Sequence, residues 1–332
     1  MSYSDSLVKV NKSLVCVGLD PQFHPKAITE GFVQQEGHGT TQKEREATAA
    51  YSYMSSIVDA TKGIVGVYKP NAAFWFRLGE HGIAQLGRLI DHIHAHKKLV
   101  ILDIKTSDIG NTMRAYGEAY LEDNRLFSGS AVDAITVLPH FGDDSVLARD
   151  RGHSPLEFPG KGLYFVIRSS NPSGVQFQGQ RLANHNHLYE EYAKGLLVWD
   201  QRLSTSVGAV IGGTSWDTSS NELSELQTTS KILAGPGSLP PILIPGVGAQ
   251  GGTATEVVKT LVMGLRSLGW DDERITQELL KVVINSSRGI NYAWADTEQA
   301  QGIDIDQIKE ASKSTTKDLS EEIALALASL IG

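Results

Sequence analysis

Eight short apolar runs punctuate this chain, and the segments between them carry helix-compatible sequence. The runs are Leu14–Leu19, Ile64–Tyr68, Leu99–Leu102, Ala131–Leu138, Leu163–Ile167, Val207–Ile211, Ile242–Ile244 and Val282–Ile284. Short continuous apolar runs, partly β-branched, are the pattern of strands buried on both faces. The intervening stretches Ala47–Thr61, Gly82–Ala95, Arg114–Asn124, His187–Leu203 and Thr255–Leu268 repeat apolar residues at helical spacing, while residues 214–238 mix a helical piece with a Gly/Pro-rich linker. Strict strand-then-helix alternation implies parallel pairing through crossover helices. In 332 residues, eight such units favour an α/β fold closed as a (β/α)8 TIM barrel over an open doubly wound sheet. The expected organisation is one domain over residues 1–332, with long loops, a short N-terminal helix over 5–12 and helices at the C-terminus. Gly31–Glu46, polar and glycine-containing, reads as a long loop.

Polar residues cluster after the runs rather than before them: Asp20, Lys69, Asp103, Lys105, Ser170, Gln250 and Arg288. Barrel active sites occupy that C-terminal rim. The densest stretch is Leu99–Thr112, LVILDIKTSDIGNT. Asp103 and Lys105, two apart at a strand end, are expected on one side, and Gly110 permits a turn that brings Asp108 back towards them. A solvated charged loop is the alternative, but these charges lie flush against an apolar run. Lys69 closes the preceding strand, so an alternating Lys–Asp–Lys–Asp array is expected. A structural ion-pair network would use the same residues. The argument for chemistry is that two close carboxylates resist mutual ionisation unless ammonium groups separate them. After the seventh and eighth runs come PGVGAQGG and NSSRGI, where barrel enzymes commonly bind phosphate. Glycine N–H groups, a following helix N-terminus and the fork of Arg288 suit an anion, which points to a phosphorylated small substrate.

Composition removes several classes. With Lys+Arg 30 against Asp+Glu 38 and a net charge of -8, the chain lacks the basic surplus of a phosphate-gripping nucleic-acid binder. Its single cysteine, Cys16, excludes an intrachain disulfide and sits in an apolar run, as a buried inert thiol does. The start, MSYSDSLVKVNKS, has no signal-peptide core, and no run approaches the ~18 apolar residues of a membrane span. A soluble, reducing, cytoplasmic setting is expected. The ten histidines include no HExxH, and His92, His94 and His96 read as a solvated helix end. His140 follows the fourth run and is given no role. Nucleophile-elbow, P-loop and Rossmann signatures are absent.

Five motifs carry a resemblance across nearly the whole barrel: VGLDP at Val17–Pro21, YKPNAAF at Tyr68–Phe74, LDIKTSDIGNT at Leu102–Thr112, PGVGAQGG at Pro245–Gly252 and NSSRGI at Asn285–Ile290. Together they resemble the orotidine 5′-monophosphate decarboxylase family, and KPNxAF with the long loops resembles its longer bacterial subgroup. The resemblance implies that Asp20 binds ribose hydroxyl, that Lys69 bridges ribose and Asp103, that Asp103 sits beside the substrate carboxylate, and that Lys105 donates the proton. It implies that Asp108 and Thr112 reach into the other subunit's site, making an obligate homodimer. Ser170, with Ser169 as neighbour candidate, resembles the serine that contacts the pyrimidine, and Gln250 with Arg288 resembles the phosphate grip. The implied reaction converts orotidine 5′-monophosphate to UMP and CO2, with no metal and no cofactor. Two departures stand out: Trp75–Phe76–Arg77 where the subgroup often has an acidic residue, and LPHFG after the fourth run in place of an Asn–Pro–Tyr-like string. Three other readings use the same residues. They are a Mg2+-dependent sugar-phosphate decarboxylase on the same barrel, a Schiff-base aldolase built on Lys105, and a nucleotide binder without turnover.

Overall fold

Each apolar run becomes a strand, and the strands meet edge to edge. A computed structural model of the chain describes residues 1–24, 26–147, 154–214, 224–248, 251–296 and 304–331. Its strands are β1 (Val15–Leu19), β2 (Val67–Pro70), β3 (Leu99–Thr106), β4 (Ala134–Val137), β5 (Gly162–Arg168), β6 (Ser206–Ile211), β7 (Ile242–Pro245) and β8 (Val282–Ser286). Each pairs in parallel with the next, and β8 returns to β1 through Val15↔Ile284, Cys16↔Asn285 and Val17↔Ser286, closing the barrel. The strands are almost wholly buried, because one face lines the interior and the other meets the helices.

Alternation along each strand divides the core. Cys16, Val67, Ile101, Ala134, Tyr164, Val166, Val210, Leu243 and Val283 fill the interior, whereas their neighbours in sequence pack outward against the helical shell. The N-terminal helix Tyr3–Val10 closes the N-terminal mouth, sending Tyr3 and Leu7 into the interior cluster. Tyr3 and Tyr164 meet edge to face with ring centroids 5.9 Å apart and hydroxyls 3.1 Å apart. Asn11 then ties this helix to β8 by donating its Nδ2 to the carbonyls of Leu280 and Val282. Cys16, fully buried in the barrel wall, has its thiol pushed up to about 12 by burial, in line with the inert reading.

The polar stretch Gly31–Glu46 differs from the expected loop. Helix Glu30–Glu36 occupies its first part, and helix Gln42–Thr61 begins within it. Threonine hydroxyls set both starts: Thr29 accepts from Phe32 N–H at 3.1 Å and Thr41 from Glu44 N–H at 3.2 Å. Phe32, buried against the ring of Tyr53, supplies the apolar anchor. One apolar pair in seven residues is too little for a periodicity argument, so the caps carried the only signal. Further along, helix Ile305–Leu330 packs on helices Gln42–Thr61 and Ala254–Arg266.

Candidate active site

β3 does not stop at Leu102. It runs on through the charged residues to Thr106, and its pairing with β4 jumps from Leu102↔Ile135 to Thr106↔Val137. Four residues of β3 thus oppose two of β4, a bulge that re-aims side chains at a strand end. Lys105 lies in this bulge with φ 47°, a left-handed conformation unusual for a lysine. The bulged N–H groups of Ile104 and Lys105 both donate to Thr136 Oγ1, at 3.0 and 2.9 Å, and that hydroxyl donates to Asp103 Oδ1 at 3.0 Å. Thr136 therefore satisfies the backbone of the bulge and fixes the carboxylate in it. Its two acceptor sites and one proton are all used.

Asp103 bridges two ammonium groups. Lys69 Nζ donates to Oδ2 at 2.9 Å, and Lys105 Nζ contacts Oδ1. Lys69 and Asp103 are buried, while Lys105 is half exposed. Burial alone would raise the Asp103 carboxyl, but Lys69 and Lys105 overcome it and hold the group well below the usual carboxylate range. Lys69 is raised in turn, the attraction of Asp103 and Asp20 outweighing its desolvation. Asp20 goes the other way. Burial pushes its carboxyl up, only partly offset by Lys69 and Ser287, and its Oδ1 is shielded from solvent with no hydrogen-bond partner among the described residues. Asn285 Oδ1 on the neighbouring strand is orphaned in the same way. Gly18 of β1 lets Ser287 approach, since a Cβ there would lie 1.8 Å from Ser287 Oγ.

These groups line one cavity of about 420 Å³ at the C-terminal ends of the strands. Asp20, Lys69, Asp103 and Lys105 are on its wall with Ser169, Ser170 and Arg288. Two buried acceptors without donors suit a ligand rich in hydroxyls. Ser169 is already engaged, giving its N–H and Oγ–H to Gln178 Oε1 at 2.8 and 2.9 Å. Ser170 Oγ is without a partner among the described residues, which makes it the freer hydroxyl. Arg288, exposed at the rim, likewise has no ion-pair partner among the described residues.

Several expectations change here. Gln250 lies outside the described residues. The glycine loop does not offer all its N–H groups to an anion, because Gly248, Gly251 and Gly252 donate to the carbonyls of Gly252, Gly248 and Gly246. The start of the following helix Ala254–Arg266 is also in use: Thr253 Oγ1 accepts from Glu256 N–H, and Glu322 accepts from Thr255 N–H. Asp108 does not fold back to extend the array within the chain. Gly110 opens helix Gly110–Leu121 instead, and Asp108 Oδ1 accepts from Ile109 N–H at 2.8 Å. Thr112 is exposed on that helix and, like Asp108, does not line the cavity. His140 pairs with Tyr192 at 2.7 Å beside a second recess shared with Ser169 and Gln178. At the first departure, Trp75 is buried and donates to the Leu19 carbonyl, and Arg77 lies over the ring of Phe23. The histidines at the end of helix Gly79–Ala95 are not simply solvated: His94 contacts Asp133 at 2.9 Å, and His92 and the capping His96 both approach Asp59. Thr136 and Gln178 were missed. Neither has a local signal, because each matters through a partner nine or more residues away.

A closed parallel barrel with a Lys–Asp–Lys array at its C-terminal face defines a (β/α)8 barrel enzyme. Comparison with known proteins narrows the class. The chain belongs to the orotidine 5′-phosphate decarboxylase / HUMPS family, whose family model matches residues 13–263. It is 33% identical over 330 residues to the orotidine 5′-phosphate decarboxylase of Variovorax paradoxus, covering 97% of this chain and 98% of that protein. The enzyme of the same name from Methylibium petroleiphilum is 33% identical over 297 residues, covering 88% of this chain and 90% of the other. Among solved structures, Leishmania donovani OMP decarboxylase superposes with a TM-score of 0.67 at 25% identity, covering 99% of this chain and all of the other.

Proposed function

We propose that this chain decarboxylates orotidine 5′-monophosphate to UMP and CO2 in pyrimidine synthesis, without a metal or cofactor in the chemical step. The observation that carries the reading is the bridged Lys69–Asp103–Lys105 array on the wall of a cavity whose rim bears Arg288. In the proposed pose Arg288 and Gln250 grip the phosphate, Asp20 and Lys69 take the ribose hydroxyls, Ser170 meets the pyrimidine, and C6 with its carboxylate faces Asp103 and Lys105. Heterolysis of the bond between C6 and the carboxylate releases CO2 and leaves the electron pair in an sp2 orbital at C6. Fixed positive charge must stabilise that pair. Lys105 supplies the charge, then transfers a proton from Nζ to C6 and regains one from solvent. Asp103, anionic in this setting, repels the substrate carboxylate and no longer does so once neutral CO2 has formed.

The chain works as a cytoplasmic homodimer in this reading, with Asp108 and Thr112 completing the partner's site. Two facts support this. Both residues stand outside their own cavity, and Thr112 shares a helical face with Ile109 and Tyr116, which are 49% and 38% exposed. Among the described residues no helix is long and apolar enough to cross a membrane.

The test is the fall in orotidine monophosphate absorbance on adding purified protein with chelator present. Loss of turnover in chelator would favour a metal-dependent sugar-phosphate decarboxylase instead. Lys105→Ala should keep its affinity for UMP and lose turnover by roughly 10²–10⁴-fold, the usual worth of a positioned proton donor; unchanged kcat would remove Lys105 from the mechanism.

A further inference from the structure

At the end of the barrel opposite the cavity, helices Gln42–Thr61 and Gly79–Ala95 finish side by side and bring Asp59, His92 and His96 together. The two histidines are four apart and share one helical face. Their Nε2 atoms lie 3.3 and 3.4 Å from Asp59 Oδ1, and all three ligand atoms fall within 4.8 Å of one another. Ligands about 2.0–2.1 Å from a tetrahedral ion stand about 3.3–3.4 Å apart, so two edges of the triangle already have that length. His92 Nε2 is shielded from solvent and, although close to Asp59, has no hydrogen bond to it or to any other group among the described residues. A buried ring nitrogen in that state carries a desolvation penalty that a bound cation would relieve.

A cation already sits there. Lys62 Nζ is 2.9 Å from Asp59 Oδ1 and 3.3 Å from His96 Nε2. An ammonium has no lone pair, so this contact needs the lone pair on His96 Nε2 and the ring proton on Nδ1, the tautomer that coordinates metal through Nε2. Lys62 is 38% exposed and reaches the site from solvent, so it can leave without disturbing the helices. Both helices also end here, and their carbonyl termini favour positive charge.

We propose that Asp59, His92 and His96 form a site for one divalent d-block cation of the Zn2+ type, with water as fourth ligand and Lys62 as the side chain it displaces. Two imidazoles and a carboxylate suit such ions, whereas Mg2+ and Ca2+ take oxygen ligands. The site ties together two packed helices on the stability face of the barrel, so the ion acts on stability and not on the chemistry proposed above.

The experiment titrates the intact, metal-stripped protein with ZnCl2 by calorimetry and thermal unfolding, and with CoCl2 by visible absorption. One Zn2+ per chain is expected, with a melting temperature that rises with free Zn2+ and tetrahedral Co2+ bands. His92→Gln and His96→Gln should each weaken binding by more than about tenfold, a loss that even outer-shell partners can cause. Lys62→Met, which removes the competitor, should tighten it, a gain that no misfolded variant would show. The assignment is overturned if no stoichiometric uptake occurs, if the double histidine variant binds as well as the parent, or if Lys62→Met binds no more tightly than the parent.

Discussion

Asp103 holds two ammonium groups because Thr136 holds Asp103. At the scale of single residues this is the least visible part of the site. The charges could be read from LDIKTSD, but not that the Ile104 and Lys105 N–H groups bond to a side chain of the neighbouring strand. The bulge that accommodates them depends on a hydroxyl some thirty residues away, at 2.9–3.0 Å from both nitrogens. Thr136→Val keeps the shape and removes the hydroxyl, leaving buried donors unsatisfied at about 1–3 kcal/mol. Denaturant unfolding should show that loss, and kcat should fall while KM stays near its parent value, with Thr136→Ser restoring both; a Val variant with parental kcat would make Thr136 a purely structural support. Asp20 yields a prediction with a definite sign. Burial raises its carboxyl, so it protonates earlier on acidification than an ordinary aspartate. A neutral carboxyl accepts a weaker hydrogen bond from ribose than a carboxylate does. UMP affinity should therefore decline as pH drops through that raised value, beyond the decline caused by the ligand's own phosphate near about pH 6. Asp20→Asn should bind more weakly overall and show only the phosphate part. Identical pH profiles in the two proteins would contradict the assignment.

Elements were legible wherever burial forced a pattern. All eight apolar runs became strands, because a parallel barrel strand touches core on both faces and is built mostly of apolar residues before its end. The failures sit where function or capping replaces that pattern. β3 extends four residues past its apolar run, held by side-chain bonds in place of hydrophobic burial. Helix Glu30–Glu36 is set by Thr29 and a single apolar pair. The loop after β7 was readable as glycine-rich, but not that its N–H groups close on its own carbonyls. The N-terminal helix is a case where sequence indicated the element and not its task. Tyr3–Val10 looks like an ordinary short amphipathic helix, yet it fills the bottom of the barrel with Tyr3 and Leu7, both essentially inaccessible. Leu7→Ala should cost about 2–5 kcal/mol, the range for emptying a buried leucine site, read as a lower denaturation midpoint with an unchanged m-value. Because the helix lies at the mouth opposite the cavity, kcat/KM below the melting transition should match the parent. A selective fall in kcat/KM would mean that the plug shapes the site.

For the whole molecule, closure of the barrel explains why residues distant in sequence share one wall: β8 returning to β1 puts Asn285 and Ser287 beside Asp20. Contacts between helices on the outer shell have no such rule, and Asp59 meets His92 and His96 across more than thirty residues with nothing in either segment to announce it. The position of Asp108 and Thr112 outside their own cavity is the remaining feature of this kind, and the proposed homodimer gives it a purpose that subunit mixing tests. If Asp108 serves the partner's site, Lys105→Ala and Asp108→Ala proteins are each inactive, but for different reasons. In a mixed dimer one site contains both defects and the other contains neither. Random exchange makes half of the dimers mixed, each with one working site of two, so an equimolar mixture should recover about one quarter of parental activity. Recovery should appear only after subunit exchange, followed by mass or by a fluorescent label on one variant. Exchange without recovery would place Asp108 in the site of its own chain, and recovery without exchange would show that one of the single variants was never inactive.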